Sequence, residues 1–208
     1  KVKITKFTEG FTVLNNCCIY LDNIMVSSPA VQIDGIDKLC TKKQITCGRQ
    51  WPAAFLDRQQ IEKINRLSQT IGQTMKQKGY KGYFGVDFLI ENKSGKVYVS
   101  EINARLTASS AFYTRLELGK NQIPLMAYHI GSFLNLDMPF YNQPESEIQG
   151  SQIILKNTNY NIKLDQNPGV YKIESENTVK FQKSGYSLEN LSQDEFIYLK
   201  QDAESMDE

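Results

Sequence analysis

The sequence predicts an α+β fold, in which an antiparallel sheet is flanked by helices and followed by a small β appendage. Three observations predict it. Residues 57–78 have the spacing of an amphipathic helix, residues 83–103 suggest two strands joined by a short loop, and residues after 145 hold only short β-like runs. With 208 residues, the chain is long enough to bury a hydrophobic core without disulfides or metals.

The segment before the first helix favours strands and then becomes irregular. Between Val2 and Met25, β-forming residues are interrupted by breaks at Glu9-Gly10 and Asp22-Asn23. Residues 27–56 contain Pro, Gly and Cys residues without a sustained period. Because long loops are uncommon inside compact domains, this stretch either has a functional role or conceals short strands.

The clearest helix runs from Asp57 to Lys78. Its apolar residues recur at steps of three and four and form a single stripe, which consists of Ile61, Ile64, Leu67, Ile71 and Met75. Asp57 is a suitable N-cap, and Gly79 is the expected stop just beyond the last turn. The stripe therefore predicts a helix that packs against the core.

A hairpin and two further helices follow. Strands over 83–90 and 96–103 flank the five-residue loop 91–95, a length typical of hairpins. Helices are expected over 109–118 and 124–134, with Pro124 in the first turn of the second.

The last part of the chain is richer in Asn, Gln and Ser. Its β-like runs are 151–155, 169–173, 179–181 and 196–199. We therefore divide the chain into a lobe, residues 1–144, and a small β appendage with an acidic tail, residues 145–208.

Composition excludes several classes of function. Lys and Arg number 24 against 23 Asp and Glu, and this near-neutral balance argues against a nucleic-acid partner. No apolar run reaches the roughly 18 residues of a membrane span, so no membrane partner is expected. The four cysteines lack CxxC spacing and are typical of buried thiols in a reducing, cytoplasmic compartment, with a zinc site as the alternative.

Acidic and amide side chains are expected on one face of the hairpin. Glu101 and Asn103 are two residues apart in one strand, while Asp87 and Leu89 share a face of the other. Two carboxylates and an amide oxygen are hard ligands that suit Mg²⁺ or Mn²⁺, and the paired acids repel each other without a cation. Arg105 extends this face, where a guanidinium can hold a carboxylate or stabilise negative charge. The alternative is that the acids are solvated positions of an amphipathic hairpin.

The two strand segments, GYFGVDFLI at residues 82–90 and VYVSEINAR at residues 97–105, closely resemble the C-terminal signature of the ATP-grasp superfamily. The resemblance implies that Asp87, Glu101 and Asn103 bind magnesium and that Arg105 has a catalytic role at the acyl substrate. It also implies that Leu89 lies under the adenine ring of ATP.

The helix before the hairpin and the two helices after it also follow the order of this family. Residues 4–10 resemble the hinge strand that contacts the adenine edge. The resemblance assigns Lys6, Phe7 and Thr8 to nucleotide binding, together with Asn16 and Gln32 near ribose and phosphate. An ordinary edge strand and turn amides are the alternatives for these positions.

The family implied by the hairpin predicts an ATP-dependent carboxylate–amine ligase, closest in appearance to bacterial members. We expect ATP, Mg²⁺ and small carboxylate and amine substrates, with support for acyl-phosphate formation. Complete ATP-grasp enzymes carry an N-terminal domain and a lobe with a lysine and a glycine-rich loop before the hinge. We therefore expect a fragment, inactive in isolation, whose partner is the missing N-terminal part of the same protein. The alternative is a non-catalytic, degenerate lobe that binds nucleotide or a partner.

Overall fold

The computed structural model describes residues 6–37, 39–40, 45–139, 148–154, 167–176, 178–188 and 190–199. The chain divides into two compact units, Lys1–Thr158 and Asn159–Glu208. The predicted α+β class is confirmed, since antiparallel sheets and three helices make up the described residues.

The first unit is built on a seven-stranded sheet within the described residues. Its strands are β1 (Gly10–Tyr20), β2 (Asn23–Val26), β3 (Ala30–Asp34), β4 (Thr46–Trp51), β5 (Gly82–Glu91), β6 (Val97–Asn103) and β7 (Gly150–Ile153). Its helices are α1 (Arg58–Gln77), α2 (Ser110–Gly119) and α3 (Leu125–Leu134). The strand order is β6-β5-β1-β3-β4-β7, and β2 pairs with β1.

Strand β1 lies at the centre of this sheet and pairs with β5 from Gly10↔Glu91 to Ile19↔Gly82. Because successive side chains of a strand point to opposite faces, alternate residues of β1 serve different purposes. Val13 and Cys17 are fully buried in the core below α1. Asn16 points to the other face, on which the candidate site lies.

The sequence of α1 accounts for where it begins and how it packs. The backbone N–H of Gln60 donates to the Asp57 side chain, and the Gln60 side chain accepts from the backbone N–H of Asp57, which completes a capping box. Ile64, in the middle of the apolar stripe, is fully buried. Gly79 follows the last turn with φ +84°, so the predicted helix, cap and stop are confirmed.

Helix α3 covers part of the face opposite α1. The backbone N–H of Tyr83 donates to His129 Nδ1 at 2.9 Å, and the rings of Tyr20 and Tyr128 lie 5.2 Å apart. His129 therefore acts in packing β5 against α3. The two predicted helices after the hairpin are confirmed as α2 and α3, with Pro124 at the N-cap of α3.

Two sequence expectations about the strands require correction. Residues 27–56 contain β3 and β4, so the irregular stretch conceals short strands. Polar side chains on one face of these strands hide their alternation. Residues 6–9 form no strand, and β1 begins at Gly10, whereas the extended pattern began at Val2. Residues 1–5 lie outside the described part of the chain.

The second unit contains a three-stranded antiparallel sheet, in the order β10-β8-β9, within its described residues. These strands are β8 (Gly169–Ser175), β9 (Thr178–Lys183) and β10 (Glu195–Tyr198). Tyr171 is fully buried, and its ring stacks on Phe196 with centroids 5.7 Å apart. This sheet matches three of the predicted β runs.

The remaining β-like run, residues 151–155, behaves differently, because β7 pairs with β4 and belongs to the first unit. The domain boundary expected between residues 144 and 145 lies outside the described residues and stays a prediction. The acidic tail over residues 201–208 lies outside them as well.

None of the helices in the described ranges combines the length and the hydropathy that a membrane crossing needs. All four cysteines are buried thiols, and none of them belongs to a disulfide. No group of three or more His, Cys, Asp or Glu side chains among the described residues is arranged to hold a metal ion, so the zinc alternative has no support there.

A buried carboxylate joins α2 to α3. Glu117 is 2% exposed, and both of its side-chain oxygens accept the backbone N–H of Leu125, at 3.1 and 3.2 Å. Burial raises the pKa of Glu117 to about 8, against the opposing effect of this hydrogen bond. The folded chain therefore binds a proton at Glu117 that the unfolded chain releases near its ordinary pKa of 4.5.

We expect the free energy of unfolding to fall as the pH rises from about 4.5 to about 8, because the folded state then holds more protons than the unfolded state. Glu117→Gln keeps an oxygen acceptor for Leu125 and removes the titration. The variant should match the wild type near pH 5 and exceed its stability at pH 8, with a difference of up to about 1.4 kcal/mol per pH unit. Urea unfolding at both pH values measures this. Equal pH dependence in the two proteins would contradict it.

Candidate functional site

A polar cleft of about 160 Å³ lies on the sheet face that α1 does not cover. Adjacent side chains of β1 lie on opposite faces. Asn15 Nδ2 donates to Ser68 of α1, whereas Asn16 Oδ1 accepts from Thr107 and Ser109 at the cleft. Strands β1, β3, β4, β5 and β6 contribute its floor, and the segment that follows β6 forms one wall. Its charged lining residues are Arg49, Asp87, Glu101 and Arg105.

Two acids and an amide meet at the β5–β6 end of the cleft. The strand register places Asp87 directly opposite Glu101 and places Gly85 opposite Asn103. Asn103 Nδ2 donates to Asp87 Oδ2 at 3.1 Å. Glycine at position 85 leaves room for the loop after β6, because a Cβ there would meet Thr107 Cγ2 at 2.5 Å.

A β-bulge decides that the two acids face each other. Phe88 pairs with Val99 but Asp87 pairs with Glu101, so β6 contains one extra residue, Ser100, at this point. Without the bulge, Glu101 would lie opposite Val86, which is fully buried on the core side. The irregularity therefore turns Glu101 and Asn103 to the cleft face.

The electrostatics of this end of the cleft disfavour the ionised form of one acid. Burial and the nearby charge of Glu101 raise the pKa of Asp87, although the hydrogen bond from Asn103 and the charges of Arg49 and Arg105 act in the opposite direction. A bound cation would relieve the repulsion between the two carboxylates and favour the ionised form.

The donor set at this point suits a magnesium ion. Two carboxylates and a carboxamide are the hard oxygen ligands that Mg²⁺ or Mn²⁺ prefers, with water or phosphate completing the shell. Asn103 Oδ1 accepts from Arg105 at 3.1 Å, while its amide nitrogen faces Asp87. Asn103 would therefore turn its carboxamide by half a rotation to offer oxygen to an ion beside Asp87.

Asn16 lies in the wall next to this group. Its Oδ1 accepts from Thr107 Oγ1 at 3.2 Å and from Ser109 Oγ at 2.8 Å. These two hydroxyl donors fix the orientation of the carboxamide. Its Nδ2 is buried and has no hydrogen-bond partner among the described residues. Gln32 also lines the cleft, and its Nε2 donates to both oxygens of Asp34, at 3.0 and 3.1 Å.

The other predicted site residues lie apart from the cleft. Lys6, Phe7 and Thr8 precede β1 outside any strand, and Phe7 is 87% exposed. The hinge strand expected over residues 4–10 is therefore wrong for residues 6–9. Leu89 shares the face of Asp87 but is half-buried beside Gly10, beyond the lining of the cleft. The adenine-binding roles of these four residues stay predictions.

The cleft also contains residues that sequence reasoning missed. Arg49 of β4 enters it from the stretch interpreted as irregular, and Thr107 and Ser109 follow the hairpin motif. The sequence held one signal for Arg49. Cys47, Arg49 and Trp51 are spaced by two, as residues on one face of a strand are, and Arg49 is the charged residue between two that are buried.

A known protein family accounts for the segment that contains the hairpin. Residues 22–124 match the family model for the ATP-binding domain of the carbamoyl-phosphate synthase L chain. The matched segment contains Asp87, Glu101, Asn103 and Arg105, together with Gln32 and Arg49. No curated protein matches the chain in sequence.

Several solved structures are similar to this chain. A biotin carboxylase–β,γ-ATP complex from Campylobacter jejuni is 18% identical with a TM-score of 0.50, and the match covers 70% of this chain and 30% of that one. An N5-carboxyaminoimidazole synthase from Aspergillus clavatus, complexed with ADP and 5-aminoimidazole ribonucleotide, is 14% identical with a TM-score of 0.48, covering 64% and 32%. The ADP complex of a Staphylococcus aureus N5-carboxyaminoimidazole synthetase is 17% identical with a TM-score of 0.47, covering 64% and 32%.

The chain thus spans about a third of the length of these proteins. The matched part of the biotin carboxylase has the same fold as this chain, the α+β lobe expected from the hairpin motif. The family model covers the β5–β6 hairpin, strands β2, β3 and β4, and helices α1 and α2. Residues 22–124 therefore belong to the ATP-grasp superfamily, as the hairpin motif predicted.

Proposed function

We propose that the cleft binds Mg-ATP, with Asp87, Glu101 and Asn103 holding the magnesium ion. The observation that carries this proposal is the pair of opposed carboxylates with an adjacent carboxamide, in a segment that belongs to an ATP-binding family. Mn²⁺ satisfies the same ligand chemistry. A bound ion supplies charge neutralisation of the phosphates, which is the main requirement of phosphoryl transfer.

Other residues of the cleft suit the remaining parts of such a ligand. Arg105 is exposed beside Asn103 and bonds only to Asn103 and the Leu106 carbonyl among the described residues, so its guanidinium is accessible to an acyl group. Asn16 offers an unpaired amide donor, and Gln32 lies on the neighbouring strand β3. These residues would orient the nucleotide and the carboxylate.

The reaction that these groups support is ATP-dependent carboxylate–amine ligation. A carboxylate oxygen attacks the γ-phosphorus of ATP, ADP leaves, and an acyl phosphate forms. An amine then displaces inorganic phosphate and loses a proton, which completes an amide. Arg105 would stabilise the negative charge that develops at the acyl carbon's oxygen. Small carboxylate and amine substrates are therefore expected, and the cleft residues need no covalent nucleophile.

Calorimetric titration of the chain with Mg-ATP tests the binding site. Asp87→Asn and Glu101→Gln should each weaken Mg-ATP binding at least tenfold, about 1.4 kcal/mol, because each removes a charged ligand of the ion. The difference in ATP affinity between each variant and the wild type should vanish when EDTA replaces magnesium, since the two acids act through the ion.

The matched control is Glu62→Gln, which removes an acid from the exposed surface of α1 and should leave binding unchanged. Magnesium-dependent binding that is equal in all variants would refute the metal site. Thermal unfolding of each variant verifies that the fold is retained.

The ligase reaction is tested on the full-length gene product with ATP, Mg²⁺ and a panel of small carboxylates. Hydroxylamine replaces the amine, because it converts an acyl phosphate into a hydroxamate that gives a coloured iron complex. Arg105→Gln should reduce hydroxamate formation at least a hundredfold and weaken Mg-ATP binding less than tenfold, in keeping with a role at the acyl group.

Arg115→Gln is the control, since Arg115 is exposed on α2 outside the cleft. Nucleotide binding without hydroxamate from any carboxylate would contradict the ligase reaction and indicate a non-catalytic nucleotide-binding lobe. Equal activity of Arg105→Gln and the wild type would remove Arg105 from the mechanism.

A further inference from the structure

Arg49 is buried and incompletely bonded. It is 7% exposed, whereas the other arginines of the chain are all exposed. Its NH1 group donates to Gln152 Oε1 of β7 at 3.3 Å. Its Nε is buried and has no hydrogen-bond partner among the described residues. Because buried guanidinium groups in proteins normally use their donors, the unpaired Nε–H points to a ligand.

The residues aligned with Arg49 on the two neighbouring strands do not neutralise the charge of its guanidinium. The register aligns Arg49 with Gln32 of β3 on one side and with Gln152 of β7 on the other, and both are uncharged. No salt bridge within 4.0 Å joins Arg49 to Asp34 or Asp87. Burial lowers the pKa of Arg49 and the charges of Asp87 and Asp34 raise it, so the two acids act on it only from a distance.

The charge balance of the cleft changes once a divalent ion is present. Arg49 and Arg105 supply two positive charges to its lining, and Asp87 and Glu101 supply two negative charges. With a magnesium ion between the acids, the cleft would carry an excess of about two positive charges. This excess favours the entry of an anionic group, and Arg49 is the buried cation whose unpartnered Nε–H can receive it.

We propose that Arg49 is the oxyanion receptor of the cleft and that its Nε and terminal N–H groups bind a two-oxygen anionic group, a carboxylate or a phosphate. A planar guanidinium forms paired hydrogen bonds with both kinds of anion. The choice of sources rests on the proposed function: the group is either a terminal phosphate of ATP or the carboxylate of the acyl substrate. Arg49 thus sets the class of ligand that the cleft accepts.

The decisive measurement is the ¹⁵N–¹H NMR signal of the Arg49 side-chain Nε–H in the wild-type chain, assigned by its loss in Arg49→Lys. The chain is titrated separately with Mg-ATP, Mg-ADP, AMP, inorganic phosphate and acetate. Sodium chloride at equal ionic strength is the control. Hydrogen bonding to an oxyanion should move this signal in a saturable way, and chloride should leave it in place.

The probes distinguish the two sources. A shift with phosphate and Mg-ATP, without one for acetate, supports recognition of phosphate. A shift with acetate alone supports recognition of a substrate carboxylate. Arg49→Lys keeps the positive charge and loses the planar guanidinium. It should weaken binding of the anion that shifts the signal at least tenfold, whereas Arg115→Gln should leave that binding unchanged. If Arg49→Lys does not fold, the signal is assigned through neighbouring backbone resonances and the wild-type titrations remain decisive.

The outcomes separate this inference from the proposed function. If Mg-ATP binds by calorimetry and no anion moves the Arg49 signal, Arg49 is not the receptor and the magnesium–nucleotide site stands. If phosphate or acetate moves the signal while Mg-ATP fails to bind, the receptor stands and the nucleotide site is wrong. A shift of the same size with chloride would overturn the assignment of Arg49 as the receptor, because the shift would then reflect general charge screening.

Discussion

The antiparallel pairing of β1 with β5 is the constraint on which the rest of the first unit depends. Its long register fixes which residues of both strands share a face. On one face, Val13 and Val86 are buried with α1, while Asn16 and Asp87 line the cleft on the other. A slip of one residue would exchange these sets, burying the polar groups and exposing the core. The hydrophobic packing beneath α1 therefore holds the polar face in place.

The cleft is polar because the helices cover only part of its side of the sheet. Tyr20 and Tyr83 pack against α3 at one end of β1 and β5, where Tyr128 and His129 face them. Further along the same strands the sheet is left open, and there the side chains become amide and acid. One continuous pair of strands thus contributes both to the packed core and to the candidate site.

Opposed charges in the cleft are spread over separate strands. The acids lie on β5 and β6, whereas Arg49 reaches the cleft from β4, with β1 and β3 between them. Glu101 is consequently the strongest charge effect on Asp87, and no salt bridge joins Arg49 to an acid among the described residues. Both groups are consequently suited to charges supplied by a ligand, positive beside the acids and negative beside Arg49.

The sequence by itself determined the helices, the hairpin and the family, because the apolar period of α1 and the spacing of Glu101 and Asn103 are local properties. The short strands β3 and β4 could not be predicted from the sequence, since polar side chains on one face conceal their alternating pattern. Only the tertiary structure decided how distant segments meet. Arg49 reaches the cleft through the pairing of β3 with β4. The bulge at Ser100, which turns Glu101 towards Asp87, arises from the pairing of β5 with β6 and leaves no periodic signal along either strand.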